Sequence, residues 1–311
     1  MIKVDLITGF LGSGKTSFIK KYASYFINQG QKIGILENDY GAVNVDMLLL
    51  NELRGQNCEL EMVAGACDSD CHKRRFKTKL IAMGMSGYDR VIIEPSGIFD
   101  VDEFFDALCD EPLDRWYQIG NVITIVDARL EDKMSSQSDF YLASQVANAG
   151  ALVISKTQLV DRTRINSTIG HIKKACQGLQ LKKDIDSILF TKDWNLLSDE
   201  DLAKLASCGY SSSSYIKKTN GHDNDYSTLY FLEQPMTCKK IKELTGHLMS
   251  DDSFGKVVRI KGFFKENDNW YQVNATCQDL DISPVAIGQE VFIVIGENLN
   301  KDKIMDEVSH E

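Results

Sequence analysis

No apolar run in the chain approaches the roughly 18 residues that a membrane helix requires, so no bilayer span is expected. Basic charge is in deficit. The 35 Lys and Arg stand against 45 Asp and Glu, a formal charge of -10, which repels nucleic acid and anionic lipid unless a local basic patch intervenes. Neither a nucleic acid nor a membrane is an expected partner. Cysteine is sparse, eight residues in 311 at irregular spacing, which excludes a disulfide scaffold. The opening MIKVDLITGF lacks the long apolar stretch of a secretory signal. The expected compartment is the cytoplasm, with reduced thiols. No internal repeat is visible, and the one low-complexity tract is the serine run Ser211–Ser214.

What is present is ordinary globular usage, 43% hydrophobic and 26% charged, in a chain long enough for two domains. Short β-branched runs (VDLIT near Val4, KIGILE near Lys32, ELEMV near Glu59, RVIIE near Arg90, NVITIV near Asn121, ALVIS near Ala151, SILFT near Ser187) recur along the first two-thirds. Amphipathic stretches such as TSFIKKYASYFINQ and STIGHIKKACQGL lie between several of them. The alternation predicts an α/β domain, a doubly wound and mostly parallel sheet, over residues 1–206. The polar stretch 207–225 suits a linker or exposed loop. Residues 226–311 then read as a strand, a helix, three strands and a last helix, a smaller α+β domain with a largely antiparallel sheet.

Residues 9–16, GFLGSGKT, fit G-x-x-x-x-G-K-[ST] directly after an apolar strand and before an amphipathic helix. Both halves of a P-loop context are present. Glycines let the loop wrap so that backbone amides face phosphates, and the helix N-terminus adds a favourable dipole. The nucleotide-binding candidates here are Gly9, Gly12, Ser13, Gly14, Lys15, Thr16 and Ser17, with Lys15 reaching the β and γ phosphates and the Thr16 hydroxyl on Mg2+. RVIIEPSG ends a buried strand with Glu94, placed to face the metal, and Gly97, whose N–H can turn to the γ phosphate. Lys15, Glu94 and Gly97 are thus the candidates for hydrolysis.

Ser155, Lys156, Thr157 and Gln158 end the sixth strand, where a G protein carries Asn-Lys-x-Asp to read guanine. Lys156 can lay its stem along the base plane. Gln158 is a neutral amide in place of the carboxylate, so discrimination for guanine should weaken, with GTP expected and ATP admitted. After the third strand come Cys67, Cys71 and His72, soft and borderline donors of a kind that suits Zn2+, with an open position that Glu37 or Asp39 could fill. The cysteines at 58, 109, 176, 208, 238 and 277, and the lone His222 and His247, read as packing or surface residues.

GFLGSGKT, ENDYG, the cysteine loop, EPSG and VDA, in this order, resemble the CobW-type branch of the metal-handling P-loop GTPases. The likeness is strong over residues 1 to about 160, and VVRIKGFF, NWYQV and VFIVIGENL extend it to the family's C-terminal domain. The family's ENEFG falls on Glu37–Gly41, its ExSG on Glu94–Gly97 and its GCxCC on Gly65–Cys71, where Asp70 and Cys71 replace the adjacent pair. The resemblance implies slow GTP hydrolysis coupled to handling Zn2+ or cobalt for a client metalloenzyme, with a nucleotide-dependent homodimer as an assembly to test. Two other readings remain open. One is a small-molecule kinase with Lys73, Arg74, Arg75 and Lys77 as a basic lid; the other is a nucleotide-binding accessory subunit of a redox or corrinoid enzyme.

Overall fold

A computed structural model describes residues 1–38, 45–63, 69–97, 101–211, 226–232, 234, 236–286, 288 and 290–309. The chain divides into two compact units, Met1–Thr219 and Asn220–Glu311.

The first unit runs β1 (Ile2–Gly9), α1 (Lys15–Asn28), β2 (Ile33–Asn38), α2 (Val45–Leu50), β3 (Cys58–Val63), α3 (Ser69–Gly84), β4 (Arg90–Pro95), α4 (Val101–Cys109), α5 (Leu113–Trp116), β5 (Tyr117–Asp127), α6 (Ser136–Ala147), β6 (Ala151–Ser155), α7 (Arg162–Gly178), β7 (Leu189–Phe190) and α8 (Asp199–Leu205). The seven strands pair in parallel in the order β3-β2-β4-β1-β5-β6-β7. This is the P-loop NTPase arrangement, with β1 at the centre and its exit flanked by β4 and β5. The central strands are largely apolar on both faces because helices cover both. On one face Phe18, Ile19, Tyr22 and Phe26 of α1 pack on Ile7, Ile35, Ile92 and Ile125. On the other, Phe76 and Leu80 of α3 and Phe104 of α4 pack on Leu36, Val91 and Ile93, and α6 and α7 cover Val126, Leu152 and Ile154. Each fully buried side chain of this size stabilises the fold by about 1.5–3 kcal/mol. Among the described residues no helix is long and apolar enough to cross a membrane.

At the amino end of the sheet lies a buried charge. Asp5 of β1 is ion-paired to Arg90 Nη1, accepts from Tyr22 Oη at 2.7 Å, and accepts from the backbone N and Nδ2 of Asn121 at 2.9 and 3.0 Å. Asn121 in turn accepts from Gly209 N and donates to the carbonyl of Ala206. This moves the start of the linker. Composition suggests a linker from 207, but Gly209 O accepts from Val122 N at 2.9 Å and Tyr210 forms a β-bridge with Ala149. Residues 207–211 therefore belong to the first unit, held by backbone bonds that polarity does not reveal; the rest of the expected linker lies outside the described residues.

The second unit runs β8 (Tyr226–Leu232), α9 (Cys238–Ser250), β9 (Lys256–Glu266), β10 (Asn269–Thr276), β11 (Asp279–Val285), β12 (Val291–Glu297) and α10 (Lys301–Ser309). Its five antiparallel strands lie in the order β11-β10-β9-β12-β8, and Ile241, Leu244, Leu248, Ile304 and Val308 of the two helices pack with Ile260, Phe264, Phe292 and Val294. Four strands follow α9 where three are expected from the sequence. The added one, β11, reads DLDISPV; it is the sheet edge, where polar residues and Pro284 are tolerated because one side needs no ladder bonds. The SILFT run likewise shortens to two residues, since Asp186–Ile188 turns as a 3-10 helix before it.

Candidate nucleotide and metal site

The site sits at the carboxyl ends of the parallel strands, where open α/β sheets bind ligands. β1 stops at Gly9, the chain wraps through residues 10–14, and α1 starts at Lys15. Gly14 caps the helix at φ 93°, a left-handed conformation that a side chain would strain. Lys15 Nζ donates to the Gly9 carbonyl at 3.0 Å, so the ammonium sits inside the loop. Ser13, Lys15 and Thr16 are buried, whereas Ser17 is exposed on the first turn of α1.

On the β4 side, Thr16 Oγ1 donates to Glu94 Oε1 at 2.9 Å. Glu94 stands in register with Glu37 on β2, and both are buried, at 4% and 3% exposure. Glu37 alternates with Ile33 and Ile35, and Glu94 with Ile92, on the α1 face. Two buried carboxylates on neighbouring strands, about 4.8 Å apart in strand spacing, repel each other unless a cation lies near. With the Thr16 hydroxyl they form an all-oxygen donor set that suits a hard ion such as Mg2+. Gly97 lies against the loop: a Cβ there would stand 2.8 Å from Leu11 N. Its carbonyl accepts from Gln145 Nε2 at 2.8 Å.

One residue beyond Glu37, strand alternation turns Asn38 to the opposite face. There its Oδ1 meets His72 Nε2 at 2.7 Å, both side chains buried. Cys71 precedes His72 on α3 and borders a cavity of about 420 Å3 with Met62, Val63 and Arg74. The structure therefore puts Glu37 and His72 on opposite faces of the sheet. Cys67 and Asp39 lie outside the described residues, and among the described residues no three His, Cys, Asp or Glu gather as a metal-holding group. Of the candidate basic lid, Lys73, Arg74 and Arg75 are exposed on α3, and Lys77 pairs with Asp110 at 3.1 Å.

On the β6 side, Ser155 Oγ donates to the Ser13 carbonyl at 2.7 Å and Lys156 Nζ to the Gly12 carbonyl at 3.1 Å. Lys156 adopts φ 55°, and its ammonium also pairs with Asp127 Oδ2 at 2.7 Å. Asp127 is further held by Arg129, through Nε at 3.2 Å and Nη2 at 3.1 Å. Gln158 is exposed on the single turn Thr157–Leu159. Two contacts were not read from the sequence. Arg129 braces Asp127, and Trp194, after β7, packs on the P-loop, where a Cβ at Gly14 would stand 3.4 Å from its indole Cη2. The signal for Trp194 was a large aromatic just past the last strand of a parallel sheet.

The family model for the CobW/HypB/UreG nucleotide-binding domain matches residues 3–182. The chain belongs to this family. Among curated relatives of this CobW/HypB/UreG member, the zinc-regulated GTPase metalloprotein activator 1 of Schizosaccharomyces pombe is 21% identical over 96% of this chain and 83% of its own length. The zinc chaperone YjiA of Escherichia coli is 25% identical over 84% of this chain and 81% of its own. The zinc chaperone YeiR of the same organism is 30% identical, over 52% and 48%.

Proposed function

We propose that this protein is a P-loop GTPase whose slow nucleotide cycle is coupled to metal delivery to a client metalloprotein, with Zn2+ the first metal to test and cobalt the second. The observation that carries this reading is the last turn of β2. Glu37 faces the Thr16–Glu94 pair, and the adjacent Asn38 is bonded to His72 beside Cys71. A strand tip with one side chain on each face can couple the nucleotide site to the cysteine loop, because a shift of β2 moves both. The names of the relatives, zinc-regulated activator and zinc chaperone, support zinc as the cargo.

In this reading the loop amides and the N-terminus of α1 bind the β and γ phosphates, and Lys15 leaves the Gly9 carbonyl to meet them. Thr16 and Glu94, with Glu37 behind, would hold Mg2+, which neutralises the phosphate charge. The Gly97 amide is close enough to the loop to reach the γ phosphate. Cys67, Cys71 and His72 are the donor candidates for the cargo ion. Thiolates must shed protons to coordinate, so uptake should release protons and weaken as pH falls.

The test is a zinc competition titration against a chromogenic chelator, on reduced protein with Mg2+ and either GDP or a non-hydrolysable GTP analogue. A change of about tenfold or more in zinc affinity between the two states, abolished in Cys67→Ser/Cys71→Ser, is the expected outcome. Equal zinc affinity in both states, or a double variant that takes up zinc as tightly as the wild type, would overturn the coupling.

A further inference from the structure

We infer that Gln145 is a positioning residue for hydrolysis: through the Gly97 carbonyl it holds the EPSG turn so that the Gly97 amide meets the γ phosphate. This rests on the nucleotide reading above and adds to it a residue that lies outside the motifs of the site.

Gln145 lies on α6 beside Leu142, Ala143 and Val146, which cluster with Val126 and Leu152 of the sheet, and it is 0% exposed. A buried amide on such a helix face needs a partner. Its main chain is anchored to β5, where Thr124 Oγ1 donates to the Gln145 carbonyl at 2.7 Å. Its side chain meets the turn after β4, where Nε2 donates to Gly97 O at 2.8 Å. A carbonyl can only accept, so the NH2 end of the amide is the one that faces Gly97. The other end, Oε1, is buried with no donor among the described residues. Half of the amide therefore gains no partner on burial, and for stability alone an apolar side chain of this length would serve as well. The bond to Gly97 is what the amide supplies.

What that bond controls follows from the residue it holds. Gly97 has no side chain to restrict its backbone angles, so its neighbours must aim it. The turn hangs from β2 through Ser96 N, which donates to the Asn38 carbonyl at 3.0 Å, and it packs on the P-loop, where a Cβ at Gly97 would stand 2.8 Å from Leu11 N. Gln145 adds the hold on the carbonyl of Gly97 itself. A γ phosphate is present in the triphosphate and in the transition state of its hydrolysis, and absent from the diphosphate. A residue that aims Gly97 therefore acts on turnover and triphosphate binding and leaves diphosphate binding alone. One that only supports the fold weakens both.

The experiment measures phosphate release from GTP, and the calorimetric affinities of GDP and a non-hydrolysable GTP analogue with Mg2+, on the full chain and on two variants. Gln145→Met keeps the volume and deletes the bond. Its kcat should fall by about tenfold or more and its affinity for the analogue by about threefold or more, with GDP held within about twofold of the wild type. Gln145→Glu places an acceptor against the Gly97 carbonyl when ionised and a donor when protonated. Burial raises the pKa of such a carboxyl, so the kcat of this variant relative to the wild type should be lowest near about pH 8 and recover by about fivefold or more near about pH 5.5. A wild-type kcat in Gln145→Met, or equal losses for GDP and the analogue, overturns the inference while leaving the nucleotide reading intact. Should Gln145→Met fail to fold, the profile of Gln145→Glu decides, and a ratio that stays flat with pH overturns it. If the wild type binds neither nucleotide and releases no phosphate, the nucleotide reading itself has failed and this inference falls with it.

Discussion

The two ends of the parallel sheet bury charge in opposite ways. At the amino end, Asp5 is answered within the fold by Arg90, Tyr22 and Asn121, so the cluster joins β1, β4, β5, α1 and the segment after α8 into one bonded unit. At the carboxyl end, Glu37 and Glu94 stand in register as like charges, and Lys15 rests on a carbonyl of its own loop. The first arrangement is complete without a ligand. The second gathers two carboxylates, a hydroxyl and an ammonium at the strand exits, groups that a bound cation and anion could engage. Burial of charge therefore does not mark a site by itself.

The sharpest way to break this comparison is at Lys15. Lys15→Ala removes the ammonium from inside the loop, so phosphate release from GTP should fall by about 100-fold or more, while the thermal midpoint stays within a few degrees of the wild type. Turnover at the wild-type rate would remove the P-loop from the mechanism. Asp5→Asn should do the reverse. Removing one partner of a buried ion pair costs about 3–5 kcal/mol, which for a unit of this size lowers Tm by roughly 6–20 °C. Nucleotide affinity measured well below that midpoint should not change. If Asp5→Asn leaves stability intact but weakens GTP, the two ends are not independent and the contrast fails.

How much of this was legible in the sequence follows the same division. The P-loop, Glu94 and Gly97 could be placed because each belongs to a short contiguous string whose spacing carries its geometry. The doubly wound sheet could be placed because both faces of its strands are covered, which leaves unbroken apolar runs. The edge strand β11 could not, since an edge position relaxes the apolar and proline rules that mark a strand. Strand parity was the other hidden variable. Glu37 and His72 look like members of one donor set in the chain, yet the alternation of β2 and the packing of α3 send them to opposite faces, with Asn38 as the link. Arg129 on Asp127 and Trp194 on Gly14 are contacts between separate strand exits, for which no local pattern exists.

The mildest test concerns Lys183, at the amino end. Its Nζ donates to the carbonyls of Ala147 and Ala149 and to Ser211 Oγ, so it ties α6 to the segment 207–211. Burial lowers its pKa to about 8, against a smaller opposing effect of the Cys176 and Cys208 thiols when ionised. The same burial pushes the Cys208 thiol up to about 12. An unfolded lysine holds its proton to about pH 10.4, so between pH 8 and that value the unfolded chain binds more protons at this site than the folded one. Stability from Lys183 must then rise with pH across the window, and be least below pH 8, where the folded state carries a partly desolvated charge. Lys183→Met removes this dependence along with the three bonds. The folded-state thiols of Cys176 and Cys208, pushed up by burial to about 11 and about 12, stay protonated up to pH 10 in both proteins, so their unfolded-state titration cancels in the difference. The Tm of the wild type minus that of the variant should therefore grow between pH 8 and pH 10 and stay flat between pH 6 and pH 7.5. A difference that shrinks over the upper window would mean that the three acceptors hold the ammonium charged, and that even this partly buried charge is fully answered by the fold.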